Sequence, residues 1–201
     1  MSIYAIFISF ALVFVTELGD KTQLLMISFS NKSTPFRILL GVAIGSFFSH
    51  GIAILFGSSL SFFDNYLIQH TLKIFTYLSF ILIGLYSFLP KKILLSMNDS
   101  KKESIISKLS NMKINYTLIV AISIIIGEIG DKTFLASIGL GIQYPNLKIS
   151  LIIGAILGMV ICDALAIFFG KFLSKHISEE AMKKLSGILF ILFGIIGFIF
   201  N

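Results

Sequence analysis

The sequence has one cysteine, no tryptophan and three prolines in 201 residues, and only 13% of it is charged. A single Cys162 inside an apolar run leaves no disulfide framework and no thiolate metal site to build, and it reads as inert packing. No nucleophile–base pair and no glycine-rich phosphate loop stands out, so neither an enzyme nor a resident cofactor is expected. Acids are scarcer than bases, 10 against 16, and the net charge is +6. That excess does not point to nucleic acid. Most of the lysines fall in short polar segments between apolar runs, where a membrane protein keeps them. The start, Met1-Ser2-Ile3-Tyr4, lacks the basic stretch of a cleaved signal peptide, so the first apolar run is expected to direct insertion itself.

What the chain has in excess is apolar length. It is 56% hydrophobic, with a mean hydropathy of +0.97, above the roughly 45–50% of a soluble domain. Several uncharged runs approach 20 residues, enough to cross a hydrocarbon layer of about 30 Å. Short alternating segments, which a membrane β-barrel needs, are missing. The pattern predicts an all-α polytopic membrane protein with six transmembrane helices, over residues 3–29, 36–60, 72–89, 116–142, 149–173 and 185–200. Residues 90–115 form a polar linker with Lys91, Lys92, Lys101, Lys102, Lys108 and Lys113.

The two sides of that linker repeat each other. Glu17-Leu18-Gly19-Asp20-Lys21-Thr22 returns as Glu128-Ile129-Gly130-Asp131-Lys132-Thr133, a shift of 128 − 17 = 111 residues. Gly41, Gly45 and Gly57 match Gly154, Gly158 and Gly170 at a shift of 113, and Gly84 matches Gly194 at 110. Residues 1–89 and 116–201 are therefore expected to be two three-helix repeats. Three is odd, so the repeats should be inverted relative to each other, as in many secondary transporters. Lys32, Arg37, the linker lysines, Lys171, Lys175, Lys183 and Lys184 then share one side, against Lys73 and Lys148 on the other. The positive-inside rule makes the linker cytoplasmic and both termini external, in a multi-pass protein of the cell membrane.

Two acids and a base in the middle of an apolar span are rare and mark ion pathways. In a continuous helix Glu17, Asp20 and Lys21 share one face, as do Glu128, Asp131 and Lys132. Inversion would bring both motifs to mid-membrane as one cluster of four carboxylates. Carboxylate, hydroxyl and amide oxygens suit a hard divalent cation such as manganese, calcium or magnesium. Thr22, Thr133 and Gln23 could add neutral oxygens to the metal ligands Glu17, Asp20, Glu128 and Asp131. Gly19 and Gly130 either let helices approach closely or let the backbone open. Four acids and two lysines leave −2, which one divalent ion cancels. Protons compete with metal for the same oxygens, the minimum physics of an antiporter. Asp163, in helix 5, matches His50, in helix 2. With Lys21 and Lys132 they are candidates for proton coupling or charge balance. The structural alternative is that Glu17–Lys21 and Glu128–Lys132 are intrahelical pairs that only neutralise each other.

The doubled Glu-x-Gly-Asp-Lys-Thr motif resembles the signature of the GDT-type cation/proton exchanger family, and the likeness extends over two motifs, six helices and a charged linker. It is similar to the compact bacterial members, which are manganese exporters; eukaryotic members are Golgi calcium and manganese transporters. The resemblance implies that Glu17, Asp20, Glu128 and Asp131 line the cation path and that protons drive transport. One departure is visible: the first motif continues with Gln23, the second with Phe134.

The expectation is a secondary transporter that exports a divalent cation, manganese first and calcium second, in exchange for protons. Its partners are the metal ion, protons and the lipid bilayer; nucleic acid is not expected, and a homo-oligomer is left open. A passive cation channel and a non-transporting membrane scaffold are the rival readings.

Overall fold

The computed structural model describes residues 2–18, 20–30, 32–61, 66–89, 115–176 and 179–199. Within them the chain forms eight α-helices and no strand. They are α1 (Ile3–Glu17), α2 (Lys21–Ser30), α3 (Pro35–Leu60), α4 (Tyr66–Tyr86), α5 (Tyr116–Glu128), α6 (Lys132–Gln143), α7 (Lys148–His176) and α8 (Glu179–Ile199). Local chemistry sets several boundaries. Pro35 opens α3 after Thr34, using the position where a missing N–H costs nothing. The Asn115 side chain accepts from Thr117 N at 3.1 Å and caps α5. Pro145 starts a 3-10 turn, Pro145–Leu147, that leads into α7.

The bundle is apolar outside and holds polar groups within an apolar core. Phe47, Phe48 and Ile52 on α3, Phe168 and Phe169 on α7, and Phe75 and Leu82 on α4 are exposed. Ser9, Thr16, Glu17, Ser49, His50, Glu128, Thr133 and Asp163 are buried. In water such an exterior would be a large exposed apolar patch; against lipid it is the favoured surface. Among the described residues, three helices are long and apolar enough to cross a membrane, at Pro35–Leu60, Leu67–Tyr86 and Pro145–Phe169. α1 and α5 have 15 and 13 residues, hence lengths of about 22 and 20 Å, short of a bilayer core.

The two continuous helices expected over 3–29 and 116–142 are each broken inside the motif. Leu18 and Ile129 turn to ψ 119° and 118°, and Gly130 adopts φ +81°, a region that favours glycine. The helical ladder stops with Ile129 N on Ile125 O, and Asp131 N turns back to Glu128 O at 2.9 Å. The first break repeats this, with Leu18 N on Phe14 O and Asp20 N on Glu17 O. Glu, Asp and Lys of one motif therefore do not share a helix face. Other limits shift less: α4 begins at Tyr66 rather than 72, and α7 continues to His176. Gly19 and nearly all of the linker at 90–115 lie outside the described residues.

The helices pack by exchange between the halves. A β-carbon on Gly41 (α3) would lie 2.6 Å from Thr117 O (α5), and one on Gly154 (α7) would overlap Ile6 O (α1). Gly45 meets Ala121 and Ile124, while Gly158 meets Phe10 and Val13. Gly84 faces Ile191 and Gly187, while Gly194 faces Ile81 and Tyr77. Each of these contacts recurs in the other half, at shifts of 110, 111 and 113 residues. The partners advance in step, so α1 runs parallel to α7 and α5 parallel to α3. Small residues at these seams let backbones touch, and close packing supplies the helix association that lipid does not drive.

Two glycines of α3 separate packing from propensity. A β-carbon at Gly57 would overlap the Ile138 carbonyl, whereas at Gly51 the nearest atom, in Phe47, is 4.0 Å away. Gly57→Ala is expected to lower stability by about 1–3 kcal/mol, and Gly51→Ala to leave it unchanged or raise it by about 1 kcal/mol. Thermal unfolding of the two variants in detergent checks the contrast.

Candidate cation site

Each break gathers the same parts: the carboxyl end of one helix, the amino end of the next, and an acid on either side. Glu17 closes α1 and Glu128 closes α5, both 1% exposed. Asp20 precedes α2, and Asp131 stands at the N-cap of α6 without capping it through its side chain. The positive ends of α2 and α6 favour negative charge there. One carboxylate oxygen each from Glu17, Asp20 and Asp131 lie within 4.8 Å of one another. The two motifs therefore meet, and the group is drawn from both halves. Thr133 Oγ1 donates to Glu17 Oε1 at 2.6 Å, tying α6 to α1.

Glu128 is fully buried, and its Oε2 has no hydrogen-bond partner among the described residues. It stands outside the close triad but within electrostatic reach of Glu17, Asp131, Asp20 and Asp163. The charges of Asp20, Glu17, Asp131 and Glu128 all bear on Lys132. α2 carries Lys21 and Thr22 at its start, but their side chains lie outside the described residues.

Three further candidates flank the cluster. Gln23 is buried, and its amide nitrogen donates to Cys162 Sγ at 2.9 Å. Cys162 Sγ in turn reaches Phe14 O at 3.4 Å. His50 Nδ1 lies 3.0 Å from Ser137 Oγ, and its Nε2 has no partner among the described residues. Asp163 is 2% exposed, its Oδ2 unpartnered among the described residues, and it interacts with the charge of Asp20. Two participants escaped the sequence reading. Cys162, read there as inert, anchors Gln23. Ser137 was not singled out, although it stands one helical turn after Thr133 and so on the same face.

The donors grouped among the described residues are carboxylate and hydroxyl oxygens, a set suited to a hard divalent cation. Bare buried carboxylates are strongly disfavoured, so their charge calls for protons, the nearby Lys132 or a cation.

Comparison with known proteins agrees with this chemistry. Residues 5–93 and 116–200 match the family model described as divalent cation/proton antiporter GDT1. A Vibrio cholerae protein whose name proposes manganese export is 28% identical over 193 residues, covering 96% of this chain and 88% of its own. A GDT1-like protein of Synechocystis is 28% identical over 202 residues, with 92% of each chain covered. GDT1-like protein 5 of Arabidopsis thaliana is 41% identical over 69 residues, 34% of this chain and 29% of its own. No solved structure matches the chain.

The contact between Thr133 and Glu17 is open to direct measurement. A double-mutant cycle of Thr133→Val and Glu17→Leu, read by unfolding in detergent, should give a coupling of about 1–3 kcal/mol. A coupling near zero would show that this hydrogen bond does not join the halves.

Proposed function

The chain belongs to the GDT1 family of divalent cation/proton antiporters, and on that premise we propose that it exports manganese across the cell membrane in exchange for protons. The observation that carries the reading is the meeting of Glu17, Asp20 and Asp131, acids from two equivalent helix breaks, inside an apolar-skinned bundle. Manganese comes first because the Vibrio cholerae relative is named for it; calcium is the second ion, since both take oxygen donors.

In this reading the chain crosses the membrane six times, as two inverted three-helix repeats. α1 with α2, and α5 with α6, each make one broken span. The reciprocal glycine contacts support the repeat. The ends bearing Lys32 and Arg37 face the cytoplasm with the 90–115 linker, and both termini face outward.

The transport step follows from charge. Four acids and the two motif lysines carry −2, so one divalent ion neutralises the site and so do two protons. Either load removes the penalty of bare charge in a low dielectric; an unloaded site keeps it. The loaded forms are therefore the ones that can move. Opening alternates between faces as the two halves rock about the cluster, the general mode of repeat-built transporters. Outside, protons displace the metal; inside, metal displaces the protons. Glu17, Asp20, Glu128 and Asp131 bind the ion, Thr133 holds Glu17 in place, and Lys132 offsets the excess negative charge.

Proteoliposomes holding the full chain and a pH-sensitive dye test this. Added manganese should enter as protons leave, and its apparent affinity should fall as pH falls. Asp131→Asn should weaken flux at least about tenfold. Metal flux without proton movement would make the protein a passive channel, and no metal flux would leave the motifs structural.

A further inference from the structure

Perfect repeats would give the two open states equal affinity for the cation, because one state would be a copy of the other. Any difference between loading and release must come from residues that break the repeat next to the cluster. The structure identifies them. Position 163 in α7 is equivalent to position 50 in α3, yet one is an acid and the other an imidazole. Position 23 in α2 is equivalent to position 134 in α6, yet one is an amide and the other a phenylalanine.

The differences separate the two seams. Gln23 joins α2 to α7 at Cys162, the residue beside Asp163. His50 joins α3 to α6 at Ser137. So the seam between α2 and α7 holds the amide, next to the helix residue that precedes the acid, and the seam between α3 and α6 holds the imidazole. Beyond the motifs, Asp163 is the one acid in the apolar spans of the sequence. It is 2% exposed, with Oδ2 unpartnered among the described residues; it stands outside the close triad of Glu17, Asp20 and Asp131, beside the Cys162 that holds Gln23.

Resting on the transport reading above, we infer that Asp163 is a fifth cation-binding acid that makes the site one-sided. The half-path along α2 and α7 holds the divalent cation more tightly than the half-path along α3 and α6. Carboxylate oxygen is the donor that manganese and calcium favour. The imidazole at the equivalent place does not compensate a divalent charge, and it opposes one when protonated. α1 and α7 run parallel, so the tight half-path opens toward the end where α2 and α7 finish, beside Lys32 and Arg37. That is the cytoplasmic end in the orientation proposed, where an exporter must collect a scarce ion. The weak half-path opens where the ion must leave.

The test is manganese transport measured from each face, in everted and right-side-out membrane vesicles containing the full chain. The apparent KM at the cytoplasmic face should be about tenfold below that at the outer face. Asp163→Asn should raise the cytoplasmic-face value about tenfold and move the other by less than about twofold. A rise at both faces alike, or at neither, overturns the inference. If Asp163→Asn does not reach the membrane, the exchange His50→Asp with Asp163→His carries the test, since it keeps one acid and one imidazole in the bundle. A reversed order of the two KM values supports the one-sided site, and an unchanged order overturns it. Wild-type vesicles with equal KM at both faces overturn this inference alone; wild-type vesicles that exchange no manganese for protons overturn the transport reading beneath it.

Discussion

The hydrogen bond from Thr133 to Glu17 joins the two halves inside the bundle, where a bare charge is poorly tolerated. Glu17 belongs to the end of α1 and Thr133 to the first turn of α6, so neither half completes the cluster alone. The bond draws a carboxylate of one motif into the helix start of the other. Asp20 and Asp131 then lie beside it, and repulsion among the three must be answered by protons, lysine or metal. The rest of the bundle serves to hold that uncomfortable arrangement. It shields the cluster with apolar helices, brings backbones close at glycine seams, and presents hydrocarbon to the outside.

The helix breaks make the arrangement available. A continuous helix would have spaced Glu17 and Asp20 along one face and left its backbone groups paired internally. With the ladder interrupted at Leu18 and Ile129, the chain turns so that acids from two helix ends converge. The positive φ of Gly130 is the local condition for this at the second motif. Most residues resist that conformation, and glycine does not. The same interruption leaves α1 and α5 too short to cross a bilayer by themselves.

How far the sequence carried this picture depends on the physics involved. Apolar length and the matched glycines were legible because composition and periodicity report burial directly. The doubled motif pointed to four gathered carboxylates; Glu17, Asp20 and Asp131 do gather, while Glu128 stands outside the close triad. The breaks were harder to read. Gly19 and Gly130 allow either tight packing or an opened backbone, and propensity alone does not decide between them. Apolar runs give span limits but not helix ends, so α4 and α7 extend past the residues that hydropathy marked. The roles of Cys162 and Ser137 were hidden because each depends on a partner more than 80 residues away in the chain. No local pattern encodes such a meeting.

The parallel pairing of α1 with α7 has a consequence for how the protein is made. Ser2 N reaches Ser150 Oγ at 3.0 Å, and Gly154 and Gly158 are the seats of Ile6 and Phe10. At a synthesis rate of about 5–20 residues per second, the first helix waits on the order of 7–30 s for its neighbour to leave the ribosome. During that interval Glu17 has no Thr133, and Gln23 no Cys162. The newborn N-terminal half must therefore wait at the insertion machinery or among lipids with its acids unassembled. Quality control that samples unpaired charge in nascent helices would meet this chain at its most exposed moment, and arrival of the last third of the sequence is what ends it.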